Sequence, residues 1–409
     1  MKIAIIGGGA SGLFCAIKLS NSFKKSNISI DIIEKDKRVG KKLLLTGNGK
    51  GNVSNKNVAC SKYNDSFVDT ALSSFTYQDL VSFFESKGVL LYNDEEGRVY
   101  PRSETSNTIL DALRASYDSC VNEILETTIE RLSFEKDKVR VIGNNFNRVY
   151  DYVVITTGSK AGLNNVPSKY NLDLISSTGH SVSKMYPALS PIYVKENIAS
   201  LRGIRTKVKA SIKLDDVYTV EGEVLFKDDA LSGICMFELS TFYARNMIKK
   251  EVRNSKVSLD LLKEFSEEEV YSKLNDMQVN LANLQASLIL NGFFPKMLAK
   301  YVLDASHVEL KDKSIKDLNN QELNSIVKTI KNLEFNVNTS KVSSNCQIMV
   351  GGVNLNEVNS STLESKLHHN LYFGGEVLNI DGQCGGFNLH FAFASGNLIA
   401  QSILKRIGE

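Results

Sequence analysis

The feature that most constrains this chain is a glycine-rich turn between its first apolar run and its first helical pattern. Lys2 to Ile6 reads as a buried strand, and Gly7, Gly9 and Gly12 follow it with the spacing Gly-x-Gly-x-x-Gly. The first glycine allows a tight turn, the second lets the backbone approach a pyrophosphate, and the third lets the helix pack closely on the strand. Free N–H groups at the start of that helix favour a bound phosphate. The turn therefore predicts a dinucleotide site.

The residues after the turn complete a strand–helix–strand unit. Apolar residues recur at helical spacing from Ala10 to Leu19, and Ile28 to Ile33 is a second apolar run. Glu34 ends this run about 20 residues after Gly12, where such sites place an acid that hydrogen-bonds a ribose hydroxyl. The unit favours a parallel sheet in an α/β protein. Both FAD and NAD fit this pattern.

Two observations favour FAD over NAD. The glycine pattern occurs once, and the segment from Leu371 to Gly386 contains a strand, the pair Gly374-Gly375, the acid Glu376 and the approach to a helix. A glycine-rich helix start can hold the far end of a long cofactor, and N–H groups facing a flavin pyrimidine ring stabilise its reduced anion. A plain turn with a helix cap also explains this segment.

The segment 40–56 is rich in glycine, asparagine and serine and predicts a long loop. Its side chains Asn48, Asn52 and Asn55 can wrap a flavin, and an ordinary surface loop is the alternative. The character of the chain changes near Tyr186. Residues 192–226 alternate apolar and polar side chains, which predicts antiparallel sheet, and 258–335 have helical spacing. A closing helix is predicted from Asn388 to Ile403. The two ends of the chain are thus expected to build one nucleotide domain around an inserted middle.

Composition sets the broad class. The length of 409 residues indicates two or three folding units, and the net charge of +3, from 49 basic and 46 acidic residues, gives no argument for nucleic acid or a membrane. The six cysteines form no Cys-x-x-Cys pair and no zinc spacing. Since neither a signal peptide nor a membrane-length apolar run is found, we expect a cytoplasmic protein with reduced thiols.

Seven motifs stand in the order in which one known family carries them: Gly40-Lys-Lys-Leu-Leu-Leu-Thr-Gly-Asn-Gly49, Gly97-Arg-Val-Tyr-Pro-Arg-Ser103, Tyr186-Pro-Ala-Leu189, Leu231-Ser-Gly233, Gly351-Gly-Val353, Leu371-Tyr-Phe-Gly-Gly-Glu-Val377 and Gly385-Gly-Phe-Asn-Leu389. Together they resemble the BaiN-like or YhiN-like family of FAD-dependent oxidoreductases, also called the aminoacetone oxidase family. The resemblance covers essentially the whole chain. It implies a Rossmann-like FAD domain of the two-dinucleotide-binding type (1–188 and 345–409), a β-barrel-like insert (189–256 and 320–344) and a small helical subdomain (257–319).

The resemblance and the glycine-rich turns together predict the cofactor contacts. Ile129 is expected where the backbone meets the adenine, and the other residues follow the turn, the 40–56 loop and the C-terminal segment. The predicted FAD-binding residues are Gly7, Gly9, Ser11, Gly12, Glu34, Lys35, Lys42, Thr46, Gly47, Asn48, Gly49, Asn52, Ile129, Thr157, Gly158, Gly375, Glu376, Gly386, Asn388 and Leu389.

The chain departs from the family pattern at three places. The family usually has Gly-Arg-Cys-Asn where this chain has Gly49-Lys50-Gly51-Asn52, Thr-His where it has Lys227-Asp228, and Gly-Pro where it has Gly233-Ile234. These changes cluster where a substrate is expected to bind. They bear on the reaction and leave the cofactor prediction unchanged.

We expect an FAD-dependent oxidoreductase that passes hydride between the flavin and a small-molecule substrate held between the FAD domain and the insert, with NADH or NADPH as electron donor. Neither a metal nor a membrane is expected to take part. No general acid or base is assigned. The candidates are Lys50, Tyr186, Asp381 and His390, because they are polar or ionisable near the expected cleft.

The family resemblance leaves the reaction open. Members are similar to oxidases of small amines, to reductases of activated double bonds in steroid-like acids, and to enzymes that reduce uridine in ribosomal RNA to dihydrouridine. RNA binding needs a basic surface, which the insert can supply, and a solvated strand face is the alternative. The basic residues concerned are Lys195, Arg202, Arg205, Lys207 and Lys209. An inactive flavin-binding module and an NAD-only dehydrogenase also remain open.

Overall fold

The computed structural model describes residues 1–22, 28–162, 172–249, 254–341 and 346–408. The chain forms two compact units, one from Met1–Tyr186 with Ile348–Glu409 and one from Pro187–Gln347. The strands are β1 (Lys2–Ile6), β2 (Ser29–Ile33), β3 (Ser54–Asn55), β4 (Leu91–Asn93), β5 (Arg98–Pro101), β6 (Val121–Ile124), β7 (Ile129–Glu135), β8 (Lys138–Gly143), β9 (Phe146–Tyr150), β10 (Tyr152–Ile155), β11 (Tyr186–Ala188), β12 (Ile192–Tyr193), β13 (Arg205–Lys213), β14 (Val217–Phe226), β15 (Ala230–Ser232), β16 (Lys256–Asp260), β17 (Leu333–Asn336), β18 (Ile348–Val350) and β19 (Leu371–Phe373). The helices are α1 (Ala10–Ser22), α2 (Asp69–Ser74), α3 (Tyr77–Glu85), α4 (Ser106–Arg114), α5 (Leu172–Ser176), α6 (Ile234–Lys249), α7 (Glu267–Asn280), α8 (Lys296–Ala305), α9 (Asn320–Lys331) and α10 (Phe387–Gly408).

A five-stranded sheet in the order β19-β10-β1-β2-β6 forms the centre of the first unit. All of its neighbouring strands are parallel. The neighbouring strands β1, β10 and β19 are mostly apolar because a parallel sheet is covered on both faces. Helix α10 approaches α1 so closely that a Cβ atom at Gly396 would lie 2.3 Å from the carbonyl oxygen of Ser11. The predicted α/β class with a Rossmann-like parallel sheet is confirmed.

Two small antiparallel sheets accompany the parallel one. Strands β3, β5 and β4 form the first, in that order, and β7, β8 and β9 form the second. In the first sheet Ser54 lies opposite Val99, and Tyr92 lies opposite Tyr100. Strand β3 is the end of the segment 40–56, which was predicted to wrap a flavin, so this sheet is part of the site described below.

The second unit contains a closed barrel. Its antiparallel strands follow the order β12-β15-β14-β13-β16-β17. A bridge between Val194 and Val337 joins the two outer strands, and the N–H groups of Lys195 and Asn338 donate to the carbonyl oxygens of Asn336 and Tyr193 at 2.9 and 2.8 Å. Helices α7, α8 and α9 belong to the same unit. The barrel-like insert of the predicted fold class is therefore present, and these helices share one compact unit with the barrel.

Two predicted elements differ in detail. Much of the segment expected as a plain loop is a short helical segment, Leu43–Gly49, which is interrupted by non-helical residues from Thr46 to Asn48. The closing helix was expected to end at Ile403 and continues to Gly408, since partly buried residues continue along its packed face. No helix in the described ranges has both the length and the apolar character needed to cross a membrane.

Candidate cofactor site

The three glycines of the turn after β1 have two different surroundings. Two of them are tightly packed, and one borders open space. A Cβ atom at Gly7, whose φ is +107°, would lie 2.5 Å from the carbonyl oxygen of Thr156, and one at Gly12 would lie 2.1 Å from that of Gly7. A Cβ atom at Gly9 would have no atom within 4 Å. Gly7 and Gly12 therefore allow tight packing, whereas Gly9 leaves free the space in front of α1. A pyrophosphate needs this space to reach the N–H groups that begin the helix.

Glu34 is held at the end of β2, facing the glycine-rich turn. Its two carboxylate oxygens accept hydrogen bonds from the N–H groups of Gly8 and Asp36, at 2.8 and 3.0 Å. The neighbouring Lys35 ammonium lies 3.1 Å from the Asp36 carboxylate. The structure thus places an oriented acid where a ribose hydroxyl is bound in sites of this kind.

Ile129 begins β7 and is buried, with 8% of its surface exposed. The nearby Thr127 N–H donates to the carbonyl oxygen of Glu34 at 2.9 Å. This bond ties the segment leading into β7 to the end of β2. The contact of Ile129 with the adenine stays a prediction.

Lys42 and Glu376 join two predicted cofactor segments that are far apart in the sequence. The Lys42 ammonium lies 2.5 Å from one Glu376 oxygen. The other oxygen accepts hydrogen bonds from the Ser159 hydroxyl at 2.7 Å and from the Met349 N–H at 3.0 Å. Thr157 and Gly158 lead from β10 to this cluster. The cluster lies beyond the carboxyl ends of the parallel strands, the edge at which such sheets bind ligands.

The loop from Thr46 to Asn52 has an unusual backbone. Gly47, Asn48 and Gly49 follow one another with φ values of 56°, 55° and 86°. Asparagine tolerates this left-handed conformation better than other side chains that carry a Cβ. The Asn52 amide is oriented so that its nitrogen donates to the carbonyl oxygens of Ser54 and Val99 at 2.9 and 3.2 Å. The loop is thereby fastened to the β3–β5–β4 sheet.

The C-terminal glycine-rich turn packs against the same loop. A Cβ atom at Gly386 would lie 2.1 Å from the Ser54 carbonyl oxygen and 2.7 Å from the Asn52 side-chain amide. Asn388 spans the turn, since its amide oxygen accepts from the Gly382 N–H and its amide nitrogen donates to the Gly382 carbonyl, both at 2.8 Å. Asn388 therefore shapes the turn, and its direct contact with FAD, like that of the half-buried Leu389, stays a prediction.

A buried pair of serines connects α1 to α10 within the cofactor site. Ser11 was predicted from the sequence, and Ser395 was missed. The hydroxyl groups of Ser11 on α1 and Ser395 on α10 lie 3.1 Å apart, and the Gly375 N–H donates to Ser395 at 2.9 Å. Ser159 was also missed. A polar residue within the apolar run of α10 was the available signal for Ser395, because buried polar groups need partners.

The comparisons with known proteins agree with this geometry. A family model described as "HI0933-like protein Rossmann domain" matches residues 1–402. The chain belongs to the HI0933-like family. Membership confirms the expected resemblance, the FAD cofactor and the class of oxidoreductase. FAD also fits the described residues, because Gly9 leaves room for the pyrophosphate and Glu34 is oriented toward the ribose position.

Curated relatives match this HI0933-like chain along nearly its whole length. A protein of Clostridium scindens named 3-dehydro-bile acid delta(4,6)-reductase is 30% identical, over 99% of both chains. Proteins named ribosomal RNA dihydrouridine synthase are 26% identical in Haemophilus influenzae, over 98% of both chains, and 25% identical in Escherichia coli, over 98% of this chain and 97% of the relative.

His390, a catalytic candidate from the sequence, is fully buried in this HI0933-like chain and serves the site indirectly. Its Nε2 atom lies 3.0 Å from the carbonyl oxygen of Phe75 and its Nδ1 atom 2.8 Å from the Ser54 hydroxyl. A carbonyl only accepts, so Nε2 carries the hydrogen and Ser54 donates to Nδ1. Burial lowers the pKa of His390 to about 4. The neutral ring therefore positions Ser54 and is not placed to exchange protons with a substrate.

The other three catalytic candidates each have their own partners, and their catalytic role stays a prediction. The Lys50 side chain is 55% exposed and lies 3.0 Å from the Glu104 carboxylate. Asp381 is 1% exposed, and its backbone exchanges hydrogen bonds with Asn64. The Tyr186 ring lies 5.0 Å from the Lys184 ammonium. Among the described residues, no three His, Cys, Asp or Glu side chains are grouped so that they could hold a metal ion.

Proposed function

We propose that this chain is an NADH- or NADPH-linked reductase that reduces an activated carbon–carbon double bond in a small molecule. Bound FAD supplies the two-electron chemistry, and the protein supplies its binding, orientation and electrostatics. The observation that carries the proposal is the 30% identity, over 99% of both chains, with the protein named 3-dehydro-bile acid delta(4,6)-reductase.

Different residues of the site are expected to bind different parts of FAD. The free space at Gly9 and the N–H groups of α1 receive the pyrophosphate, and Glu34 receives a ribose hydroxyl. Lys42 and Glu376 link the loop after β2 to the segment after β19. The loop from Thr46 to Asn52 and the turn before α10 meet at the far end, where the flavin ring is expected.

Reduction of uridine in ribosomal RNA is the second candidate, because two relatives at 26% and 25% identity carry that name. The charge pattern of the insert argues for the small molecule instead. Arg205 lies 2.6 Å from Glu223, and Lys207 and Lys209 lie opposite Glu223 and Glu221 across the β13–β14 register. Arg202 also pairs with Asp228, and Glu221 is shared with Lys263, so acidic partners balance part of the positive charge here. RNA binding needs a net positive surface, so the pairing favours the solvated-face alternative.

The first test is anaerobic and follows the visible absorbance of the bound flavin. We expect NADH or NADPH to bleach it, and a 3-dehydro-bile acid with delta(4,6) double bonds to restore it. The control is a Gly9→Val variant, whose added side chain fills the pyrophosphate space. We expect this variant to be purified without flavin and to show no such absorbance. Restoration by a uridine-containing ribosomal RNA fragment alone would favour the second candidate.

Two other results would count against a nicotinamide-linked reductase. Bleaching by a small amine instead of a nicotinamide would identify an oxidase. A bound flavin that responds to no donor would identify an inactive flavin-binding module.

A further inference from the structure

We propose that Tyr100 is the proton donor of the reductase, an inference that rests on the function proposed above. A double bond that receives a hydride at one carbon needs a proton at the other, and the sequence assigned no general acid. Tyr100 lies on β5, where burial alternates: Val99 and Pro101 face the core, and Arg98 and Tyr100 are half-buried. The phenol therefore faces away from the core of its sheet.

One side of the Tyr100 ring lies against the loop from Thr46 to Asn52. Its Cε1 atom is 3.1 Å from the position that a Cβ atom at Gly47 would take, and the backbone nitrogen of Asn52 is 2.9 Å from the same position. The Val53 N–H donates to the carbonyl oxygen of Val99 at 2.9 Å. Tyr100 is thus next to the residues that turn the backbone into the left-handed conformation.

The C-terminal glycine-rich turn approaches the same face of the β3–β5–β4 sheet. A Cβ atom at Gly385 would lie 3.6 Å from Cγ of Arg98 and 3.5 Å from the Asn55 amide nitrogen. Arg98 and Tyr100 occupy alternate positions of β5 and so lie on the same face. The two segments expected to hold the flavin ring therefore meet around Tyr100, although they are far apart in the sequence.

The Tyr100 hydroxyl is available in its protonated form. Burial raises the pKa of Tyr100, the Arg98 charge opposes the rise, and the phenol keeps its proton at neutral pH. No described residue accepts a hydrogen bond from this hydroxyl. Its neighbour Tyr92 differs: the two rings stack with centroids 5.9 Å apart, but the Tyr92 hydroxyl donates to Glu104 at 2.7 Å. Of the stacked pair, Tyr100 has the hydroxyl that is free to serve a substrate.

The proton balance of the step is simple. The double bond gains a hydride from the reduced flavin at one carbon and the Oη proton of Tyr100 at the other. The C=C π bond, the O–H bond of Tyr100 and the bond that holds the hydride in the reduced cofactor break. Two C–H bonds form, and two electrons pass from the cofactor to the substrate. Water then returns a proton to the Tyr100 phenolate.

The position of Tyr100 can be tested without any substrate. A tyrosine in contact with a flavin quenches its fluorescence by electron transfer, and phenylalanine does not. We expect FAD-loaded Tyr100→Phe to fluoresce more strongly than the native holoenzyme and Tyr92→Phe to match the native holoenzyme. Unchanged fluorescence in Tyr100→Phe at equal FAD occupancy would overturn the assignment, whatever the enzyme reduces.

The proton transfer is tested in the oxidative half-reaction. Each FAD-loaded protein is reduced with dithionite and mixed anaerobically with the 3-dehydro-bile acid, and flavin absorbance is followed. General acid catalysis contributes about 100-fold or more, so we expect at least that slowing in Tyr100→Phe, while Tyr92→Phe stays native. Reduction of all three by a nicotinamide at similar rates would support a role confined to the proton.

The outcomes separate this inference from the proposed function. Equal reoxidation of Tyr100→Phe and the native enzyme would exclude Tyr100 as the donor and leave the reductase intact. Failure of the native enzyme to reoxidise with the bile acid and with RNA would contradict the proposed function. In that case the fluorescence comparison still decides whether Tyr100 contacts the flavin.

Discussion

Replacing His390 with glutamine should remove a large part of the acid sensitivity of the FAD-binding unit. The histidine is fully buried, and its ring joins the Ser54 hydroxyl to the Phe75 carbonyl. A glutamine at this position can make both hydrogen bonds, since its amide nitrogen donates and its amide oxygen accepts. The variant thus keeps the contacts and loses only the group that titrates.

The magnitude follows from the lowered pKa of His390. Its ordinary value is 6.5, and burial lowers it to about 4. Between these values the unfolded chain binds a proton that the folded chain excludes, so the free energy of unfolding falls as the pH falls. The stability is fully present above pH 6.5 and is lost toward pH 4. At about 1.4 kcal/mol for each tenfold change in proton affinity, the loss is about 3 kcal/mol.

The assay is urea unfolding of the FAD-loaded proteins, monitored by the flavin fluorescence that rises on release. Because the predicted FAD-binding residues lie in the first unit, this signal is expected to report the unit that contains His390. We expect the native protein to lose about 2 to 3 kcal/mol more than His390→Gln between about pH 7.5 and about pH 4.5. Other groups that titrate in this range are common to both proteins and cancel. An equal loss in both would mean that the ring is already protonated or hydrated when folded, and would refute the reasoning.

Three further results are expected. Gly9→Val should be purified without FAD yet folded, because the added side chain enters the pyrophosphate space, while Gly292→Val, also at a position with nothing within 4 Å, should keep FAD; equal FAD content in the two variants would contradict the assignment of the turn. Lys42→Met should raise the Kd for FAD about tenfold, the equivalent of one hydrogen bond to a charged group, and an unchanged Kd by fluorescence titration would exclude the contact. Ser395→Ala should lower the free energy of unfolding by about 1 to 3 kcal/mol, because the buried Gly375 N–H loses its acceptor, whereas Ser402→Ala should cost less than about 0.5 kcal/mol; similar urea midpoints for the two would show that the buried bond contributes little.

The parts of the site that the sequence predicted are those encoded locally. Gly7, Gly9 and Gly12 have fixed spacing, a strand before them and a helix after them, so the turn and its cofactor are readable from about 30 residues. Glu34 falls within the same unit. The barrel-like insert was implied by the family resemblance, and the alternation along β13 and β14 had indicated only antiparallel sheet.

The parts that could not be predicted depend on contacts between distant segments. Ser11 and Ser395 are separated by 384 positions, and Ser54 and His390 by 336. No local pattern shows that the ring of His390 is enclosed, so the sequence left it among the candidates for catalysis. The hydroxyl of Tyr100 likewise has significance only once Gly47 and Gly385 are brought to the same sheet.

The order in which the ribosome makes this chain follows from the way the FAD unit is split. The residues of the barrel unit, Pro187–Gln347, are complete before β19 and α10 are synthesised. Until then β10 lacks its neighbour on one side and α1 lacks the helix that covers it. The nascent chain must therefore keep an unpaired strand and an apolar helix face from aggregating while the barrel can already fold. We therefore expect flavin to load only after β19 and α10 have been made, and a stop codon late in the gene to leave the flavin domain incomplete beside the barrel.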